Sequence, residues 1–389
     1  MHHLKHKFHI DYPINVYESH LLTRIENMLS ARIHNYQKPL VLDNIEKPKI
    51  EQDNQVLLRV GATGLCHSDL HLIEGAWKEA IPLNLPIIPG HEIAGWVEEI
   101  GNAVPKDFIQ KGDMVAVFGG WGCGVCLYCK NGDEQCCPVA KWPGIVKDGG
   151  FSEYLLVDSY RFLVKVADNQ TAGSGTRFSV EEIAPLTDAG LTPYRAIKAV
   201  RNMLGPEKSI GVVGIGGLGY YAVQYAKLLG QSSDVVAFDV KEEKLRLAQE
   251  VGADFTIGLS PSSQESNLPQ TKEEVVRITK GKGIDVIIDC VGAENTIYNS
   301  IRLLSRGGCL VIVGLFGNNI VAPLVPSVIN EYKIYGSLWG NYNELREVIG
   351  LAVKGRIKPR ISKFSLYDIN QAIDLLRNGK MLGRAVIIP

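Results

Sequence analysis

The feature of this sequence that most restricts its fold is the glycine motif Gly214-Ile-Gly-Gly-Leu-Gly219, which follows the apolar segment Ile210-Gly-Val-Val and opens an apolar helical segment. A G-x-G-x-x-G motif between a strand and a helix is typical of the phosphate-binding turn of a dinucleotide-binding βαβ unit. Its glycines permit a tight turn, a close approach of the pyrophosphate and close helix packing. The predicted cofactor contacts in the motif are Gly214, Gly216, Gly217, Leu218 and Gly219. A glycine-rich turn that serves another ligand is the alternative.

Asp239 ends the next apolar segment, twenty residues after Gly219. A carboxylate at this place can accept hydrogen bonds from the hydroxyl groups of the adenosine ribose. It would repel the 2′-phosphate of NADP, and the next residue, Val240, offers neither a cation nor a hydroxyl. The sequence therefore predicts NAD as the cofactor.

Two kinds of segment divide the 389 residues. From Ala31 to about Lys165 the segments are short, rich in Val and Ile, and punctuated by Gly and Pro, which is typical of strands and turns. After about Ala184, apolar strands alternate with segments of helical period, and this alternation predicts a parallel α/β sheet. A chain of this length has room for two such domains.

Composition excludes several classes of protein. Apolar residues make up 46% of the chain and charged residues 21%, as in globular proteins, and no apolar run approaches the roughly 20 residues of a transmembrane helix. A formal net charge of −1 argues against binding to nucleic acid or to an anionic membrane. Residues 1–27 lack the apolar core of a secretory signal, so we expect a flexible extension on a soluble, cytoplasmic protein.

Four cysteines lie on one short stretch, at Cys123, Cys126, Cys129 and Cys137. Four thiolates on one loop can enclose a tetrahedral ion completely, which is typical of structural zinc. An iron–sulfur cluster and unliganded thiols are the alternatives, but the gap of seven residues before the last cysteine differs from the bacterial cluster spacing. Cys136 is adjacent and is not needed for the site.

A second group of candidate residues is dispersed over three segments: Gly64-Leu-Cys66-His67-Ser68-Asp69-Leu-His71, Gly90-His91-Glu92 and Pro185-Leu-Thr-Asp188. Each segment alone is a weak signal, because a lone buried cysteine is usually inert packing and a histidine beside a glutamate is usually a satisfied polar pair. The three segments indicate a functional site only because they occur together in one sequence.

Taken in order, these motifs, together with Gly383-Arg384 near the end, resemble those of the zinc-containing medium-chain alcohol dehydrogenase family, from Met28 to Pro389. The resemblance implies an α/β protein with a β-rich, GroES-like catalytic domain and a Rossmann domain, which is a doubly wound parallel sheet. The implied boundaries are residues 28–185 and 340–389 for the discontinuous catalytic domain and residues 186–339 for the NAD-binding domain.

The same resemblance implies a catalytic zinc held by Cys66, His91 and Asp188, with substrate or water in the remaining position and Glu92 as a further ligand that exchanges in. Many family members have cysteine at the third position, and a subset acting on secondary alcohols and ketones has aspartate. The exchange conserves charge, because thiolate and carboxylate each carry −1. An alcohol on zinc loses its proton readily and can then release hydride to nicotinamide.

Proton transfer and cofactor contacts are also implied by resemblance. Ser68 takes the alcohol proton and passes it through the cofactor ribose to His71, and Asp69 orients His91. The remaining implied cofactor contacts are His67 and Arg384 near the pyrophosphate and Lys244 near the adenosine ribose. Trp121 is expected to be either a wall of the substrate pocket or a core aromatic.

The resemblance predicts an enzyme that transfers hydride between NAD and a small primary or secondary alcohol, or the matching aldehyde or ketone, with one catalytic and one structural zinc per subunit. The alternatives are a zinc-dependent polyol, butanediol or threonine dehydrogenase and, from another class, a non-catalytic protein that binds NAD and zinc. Most family members are dimers or tetramers, so we expect a homodimer or homotetramer.

Overall fold

The computed structural model describes residues 26–167, 178–260 and 268–389. The predicted flexible extension at residues 1–27 therefore lies outside the described residues, except at its end. There Asn27 already begins a strand.

The described part of the chain contains three sheets, of two (β1-β2), six and seven strands, and eleven α-helices. The strands are β1 (Asn27–Arg32), β2 (Val41–Glu46), β3 (Val56–Leu65), β4 (Glu92–Ile100), β5 (Met114–Val117), β6 (Tyr154–Val157), β7 (Leu163–Ala167), β8 (Ser209–Val213), β9 (Asp234–Asp239), β10 (Phe255–Gly258), β11 (Ile284–Asp289), β12 (Leu304–Ile312), β13 (Lys333–Gly336), β14 (Ile361–Ser365) and β15 (Arg384–Ile388). The helices are α1 (His67–Glu74), α2 (Leu127–Lys130), α3 (Val180–Ile183), α4 (Leu191–Ala199), α5 (Gly217–Leu229), α6 (Glu242–Glu250), α7 (Leu268–Ile278), α8 (Glu294–Leu303), α9 (Leu324–Ile329), α10 (Tyr342–Val353) and α11 (Ile369–Arg377).

The predicted parallel sheet is confirmed. Six strands lie in the order β10-β9-β8-β11-β12-β13, and every neighbouring pair is parallel. This is the doubly wound Rossmann order, whose ligand crevice lies at the carboxyl ends of the two central strands, here β8 and β11. Both central strands are buried along their whole length, which explains their continuous apolar sequence.

A second sheet is mainly antiparallel and contains seven strands. Its path is β14-β15-β3-β4-β5-β7, and β6 also pairs with β3. The C-terminal strand β15 pairs antiparallel with β3, so the chain returns to this sheet after completing the parallel one. The two sheets thus agree with a catalytic domain that is discontinuous in sequence, while the domain boundaries themselves remain predictions.

None of the helices in the described part of the chain combines the length and the apolar character that crossing a membrane requires.

Candidate active site and metal centres

Three segments that are distant in sequence meet at one end of the antiparallel sheet. Cys66 follows β3 and caps α1, and His91 immediately precedes β4. Because β3 and β4 pair with Gly64 opposite Glu92, the register brings Cys66 and His91 to the same end of the strand pair. Asp188 reaches them from the end of a 3-10 turn at Ala184–Thr187.

Four side chains form one cluster whose candidate ligand atoms all lie within 4.8 Å of one another: the buried Cys66, His91 and Glu92 and the half-buried Asp188. Asp188 Oδ2 lies 3.4 Å from His91 Nε2 and 3.9 Å from Cys66 Sγ. A tetrahedral zinc with bonds of about 2.0–2.3 Å places its ligand atoms about 3.3–3.8 Å apart. These residues therefore fit a zinc ion in both chemistry and spacing.

Thr192, which the sequence analysis did not identify, fixes the orientation of Asp188. Its hydroxyl donates to Asp188 Oδ1 at 2.6 Å, which leaves Oδ2 facing the other candidate ligands. Although burial acts to raise the pKa of Asp188, His91 and Arg384 lower it to about 2. The carboxylate is therefore ionised and ready to bind a cation.

Asp69 is fully buried and organises the loops that carry two of these candidate ligands. Its Oδ2 accepts a hydrogen bond from the Cys66 backbone N–H at 2.8 Å, and its Oδ1 accepts from the Gly90 N–H at 3.2 Å. Its Oδ1 also lies 3.5 Å from His91 Nδ1, close enough for electrostatic attraction but without hydrogen-bond geometry. The orientation of His91 by Asp69 remains a prediction that this proximity supports.

Arg384 and Glu92 form a buried ion pair that the sequence analysis missed. The guanidinium donates from Nε to both Glu92 oxygens, at 2.9 and 3.1 Å, and from Nη2 to Oε1. The same Nη2 lies 3.7 Å from Asp188 Oδ2. Glu92 Oε1 also accepts from the Ala189 N–H at 3.2 Å, so in this arrangement Glu92 is held by other groups.

Trp339 packs edge-on against His91, with ring centroids 5.7 Å apart, and its indole N–H donates to the Thr187 carbonyl at 2.8 Å. Trp121, by contrast, stacks on Phe162 in the core at 5.5 Å and donates to the Phe118 carbonyl. The structure therefore favours the core alternative for Trp121 and puts a different tryptophan beside the metal cluster.

The predicted proton-transfer residues lie on α1. The Ser68 hydroxyl is 3.6 Å from Cys66 Sγ, beside the metal cluster. His71, one turn further along the helix, packs against the rings of Trp77 and Phe316 at 4.9 and 6.5 Å. Burial lowers the pKa of His71, although Glu74 opposes the shift.

The four-cysteine loop closes on itself as the spacing predicts. All four sulfur atoms lie within 4.8 Å of one another, and Cys129 Sγ is 3.5 Å from Cys126 Sγ and 4.0 Å from Cys123 Sγ. Four zinc–sulfur bonds of about 2.3 Å in a tetrahedron require about 3.8 Å between sulfurs. Backbone N–H groups of Val125 and Cys126 lower the pKa of Cys123 to about 6, which favours the thiolate.

The glycine motif forms an open turn at the carboxyl end of β8, followed by α5, whose N-terminus can bind an anion. A side chain added at Gly216 would meet no atom within 4 Å, so space for a ligand lies directly above this backbone. A side chain at Gly217 would collide with the Arg384 guanidinium, 2.4 Å away. Arg384 therefore lies between the metal cluster and the turn predicted to bind the pyrophosphate.

Asp239 is buried at the end of β9, where its Oδ2 accepts from the Ile215 N–H at 2.7 Å and its Oδ1 accepts from the Lys241 N–H at 3.0 Å. Each carboxylate oxygen has two lone pairs, so both can still accept a ribose hydroxyl. Lys244 Nζ lies 4.0 Å from Asp239 Oδ2, at the same corner. His67 begins α1, next to Cys66. These positions fit a bound dinucleotide.

Family models agree with both halves of this architecture. The alcohol dehydrogenase GroES-like domain matches residues 52–168, and the zinc-binding dehydrogenase domain matches residues 217–354. The GroES-like and Rossmann-like fold predicted from the sequence is thereby confirmed.

Proteins with similar sequences match almost the whole chain. An NAD-dependent alcohol dehydrogenase of Sulfurisphaera tokodaii is 39% identical and one of Saccharolobus solfataricus is 38% identical, each over 93% of this chain and 100% of the relative. The crystal structure of an alcohol dehydrogenase from Aeropyrum pernix superposes with a TM-score of 0.84 at 37% identity, over 93% of this chain and 100% of that one. The chain therefore belongs to the zinc-containing medium-chain alcohol dehydrogenase family.

Proposed function

We propose that this enzyme oxidises small primary or secondary alcohols with NAD, and reduces the matching aldehydes or ketones in reverse, at a zinc ion held by Cys66, His91 and Asp188. One observation carries the proposal: a buried thiol, a buried imidazole and a half-buried carboxylate converge within 4.8 Å of one another. Arg384 connects this cluster to the turn that precedes α5. Hydride transfer requires the reacting carbon and the nicotinamide to meet at such a junction.

The enzyme uses NAD and two zinc ions. When bound, the catalytic zinc supplies a Lewis acid for the alcohol oxygen, and NAD accepts the hydride. The chain's own residues supply the charge balance, because the Cys66 thiolate and the Asp188 carboxylate together match the charge of a divalent ion. The second ion is proposed to be held by Cys123, Cys126, Cys129 and Cys137, which leave no position for a substrate.

Cofactor binding is proposed to use the glycine motif and the side chains around it. The N-H groups at the start of α5 and the guanidinium of Arg384 can hold the pyrophosphate, and Asp239 can accept the ribose hydroxyls. His67 is proposed as a further contact of the pyrophosphate, and Lys244 as a further contact of the adenosine ribose. The buried Asp239 carboxylate supports NAD over NADP because it would repel a 2′-phosphate.

For proton transfer, we expect Ser68→Ala to lower kcat/KM for alcohol oxidation by about 10²-fold, the lower range for general acid–base catalysis. His71→Gln should in addition alter the pH profile. Because burial lowers the pKa of His71, its neutral, proton-accepting form is present at pH 7 and is lost as pH falls through that pKa. The fall of kcat/KM on this acid limb should disappear in His71→Gln.

The matched control for that measurement is His34→Gln, which removes a histidine that pairs with Asp43 at 2.6 Å outside the site. Its pH profile should equal that of the parent enzyme. An unchanged acid limb in His71→Gln would remove His71 from the proton path.

The proposed function is tested by initial rates of NAD reduction with primary, secondary and polyhydric alcohols, before and after chelation. Oxidation of simple alcohols that is lost on chelation is expected. Faster turnover of polyols or threonine would support the alternative, which the relatives do not favour. Activity that survives loss of the catalytic metal, or none with any alcohol, would reject the proposal.

A homodimer, or a homotetramer built from the same dimer, is proposed to assemble through the edge of the parallel sheet. Strand β13 ends the sheet and is exposed throughout, and it pairs only with β12 among the described residues. Among the described residues, eleven of the twenty-one exposed large apolar side chains lie between Leu315 and Leu338, the part of the chain that contains β13. An exposed apolar edge strand favours pairing with a second copy across a two-fold axis.

Sedimentation of the Ile334→Lys variant tests the dimer. The control is Tyr367→Lys, which places the same charge at an exposed apolar residue outside β13. Dissociation is expected only in Ile334→Lys. Equal oligomeric states in both variants would exclude this edge as the interface.

A cytoplasmic location is part of the same proposal. It is supported by the eight cysteines of the chain, which are all described and none of which forms a disulfide.

A further inference from the structure

Helix α4 carries two partly buried polar contacts one turn apart. At its start, Thr192 donates from its hydroxyl to Asp188 Oδ1 at 2.6 Å and from its backbone N–H to the Asp188 carbonyl at 2.8 Å. Three residues later, Arg195 extends toward two other parts of the chain. One short helix thus contacts both the proposed catalytic ligand and a distant site.

The Arg195 guanidinium bridges the four-cysteine loop and α10. Its Nη2 donates to Asp133 Oδ1 at 2.9 Å, and its Nη1 donates to Glu344 Oε2 at 3.0 Å. Asp133 lies inside the loop, between Cys129 and Cys137, and its Oδ1 also accepts from Gln135, which is fully buried. The Arg195 side chain is only 18% exposed and Asp133 is 38% exposed, so the pair lies at the edge of the surface with its guanidinium largely shielded from water.

Glu344 connects the same arginine to the start of α10. Its carboxylate accepts from the Asn341 N–H at 2.9 Å in a capping box, and Asn341 accepts in return from the Glu344 N–H. Two residues before Asn341, Trp339 contacts His91 and the Thr187 carbonyl, with a left-handed φ of 47° that a large side chain adopts only under constraint. The Arg195 guanidinium is therefore connected to both segments that position the metal cluster. These are α4, which carries Thr192, and the start of α10, which follows Trp339.

We propose that Arg195 is a positioning residue. It connects the four-cysteine loop to the residues that orient the catalytic ligands, so that metal binding in the loop affects metal binding at the catalytic cluster. Through α4 it fixes the Asp188 carboxylate, and through the start of α10 it fixes Trp339 against His91. A planar guanidinium can hold two carboxylates in fixed directions at once, which a lysine cannot do. Metal binding in the loop orders Asp133 and so strengthens metal binding at the catalytic cluster.

This inference rests on the proposed ligand role of Cys66, His91 and Asp188. It also implies reciprocity, since two linked sites must influence each other's binding free energy equally. The four-cysteine loop then contributes to the affinity of the catalytic cluster for its metal as well as to the stability of its own part of the fold.

The test uses the full-length enzyme with zinc kept in the four-cysteine loop and Co²⁺ titrated into the catalytic cluster, followed by visible absorption. Arg195→Gln is expected to weaken Co²⁺ binding by up to about tenfold, the lower end of the loss for a group bonded directly to a metal ligand, because Arg195 acts only through Thr192 and Trp339. Asp133→Asn should act in the same direction, and the double variant should lose little more than Arg195→Gln, which already breaks the link that Asp133→Asn removes. The Co²⁺ spectrum should change with the altered ligand positions.

Lys198→Gln is the matched control, because Lys198 also joins α4 to α10, through Glu347 at 2.5 Å, but does not reach the loop. Its Co²⁺ affinity and spectrum should equal those of the parent. Unchanged affinity in Asp133→Asn would overturn the inference even if Arg195→Gln failed to fold, and additive losses in the double variant would overturn it where both variants fold. Failure of the parent enzyme itself to bind Co²⁺ at the cluster would instead reject the proposed function.

Discussion

Replacing Asp188 by Ala is expected to abolish metal binding at the catalytic cluster while the four-cysteine loop keeps its ion. The carboxylate supplies one of three proposed ligand atoms and one of the two proposed negative charges. A metal Lewis acid stabilises the transition state by several kcal/mol, so kcat/KM for alcohol oxidation should fall by about 10⁴-fold or more. Metal analysis and initial rates on the same preparation check both results.

Two further variants serve as controls for that experiment. Asp188→Cys keeps a charged ligand, and we expect it to retain the ion and part of the activity, although it loses the hydrogen bond from Thr192. Asp254→Ala removes an exposed carboxylate that pairs with Lys227, and it should leave activity unchanged. Two bound ions in Asp188→Ala would mean that this carboxylate is not a ligand.

Replacing Arg384 by Met is expected to lower the free energy of unfolding by about 3–5 kcal/mol, because it leaves a buried carboxylate without its partner. Glu92 is fully buried and Arg384 is 3% exposed, so water cannot replace the lost hydrogen bonds. NAD affinity should fall as well, since the guanidinium also faces the glycine turn. Urea denaturation at fixed metal and protein concentration measures the first effect.

Lys227→Met provides the comparison for this second prediction, because it breaks an exposed ion pair of similar length, expected to contribute only about 0–1 kcal/mol. Adding Glu92→Leu to Arg384→Met should recover part of the lost stability, since the unpaired charge is then gone. Equal destabilisation in Arg384→Met and Lys227→Met would show that the buried pair is not important for stability.

The parts of the protein that the sequence predicted well are those encoded by neighbouring residues. The turn at Gly214–Gly219 and the loop from Cys123 to Cys137 depend on spacing within a few residues, which limits the geometry that the backbone can adopt. The parallel sheet followed from the alternation of apolar strands with helical segments, since that pattern has few other solutions. Cys66, His91 and Asp188 were found only through resemblance, and the structure then brought them together.

Sequence alone therefore determined the glycine turn, the four-cysteine loop and the class of fold, because each has a local or periodic signature. Tertiary structure decided which distant polar groups meet. Arg384 pairs with Glu92 across 292 residues of sequence, and Arg195 reaches Asp133 and Glu344 across 62 and 149 residues. An arginine in a sequence is usually a surface residue, and neither spacing nor period marks the exception. Burial against a specific carboxylate exists only after the two sheets and α10 have packed together.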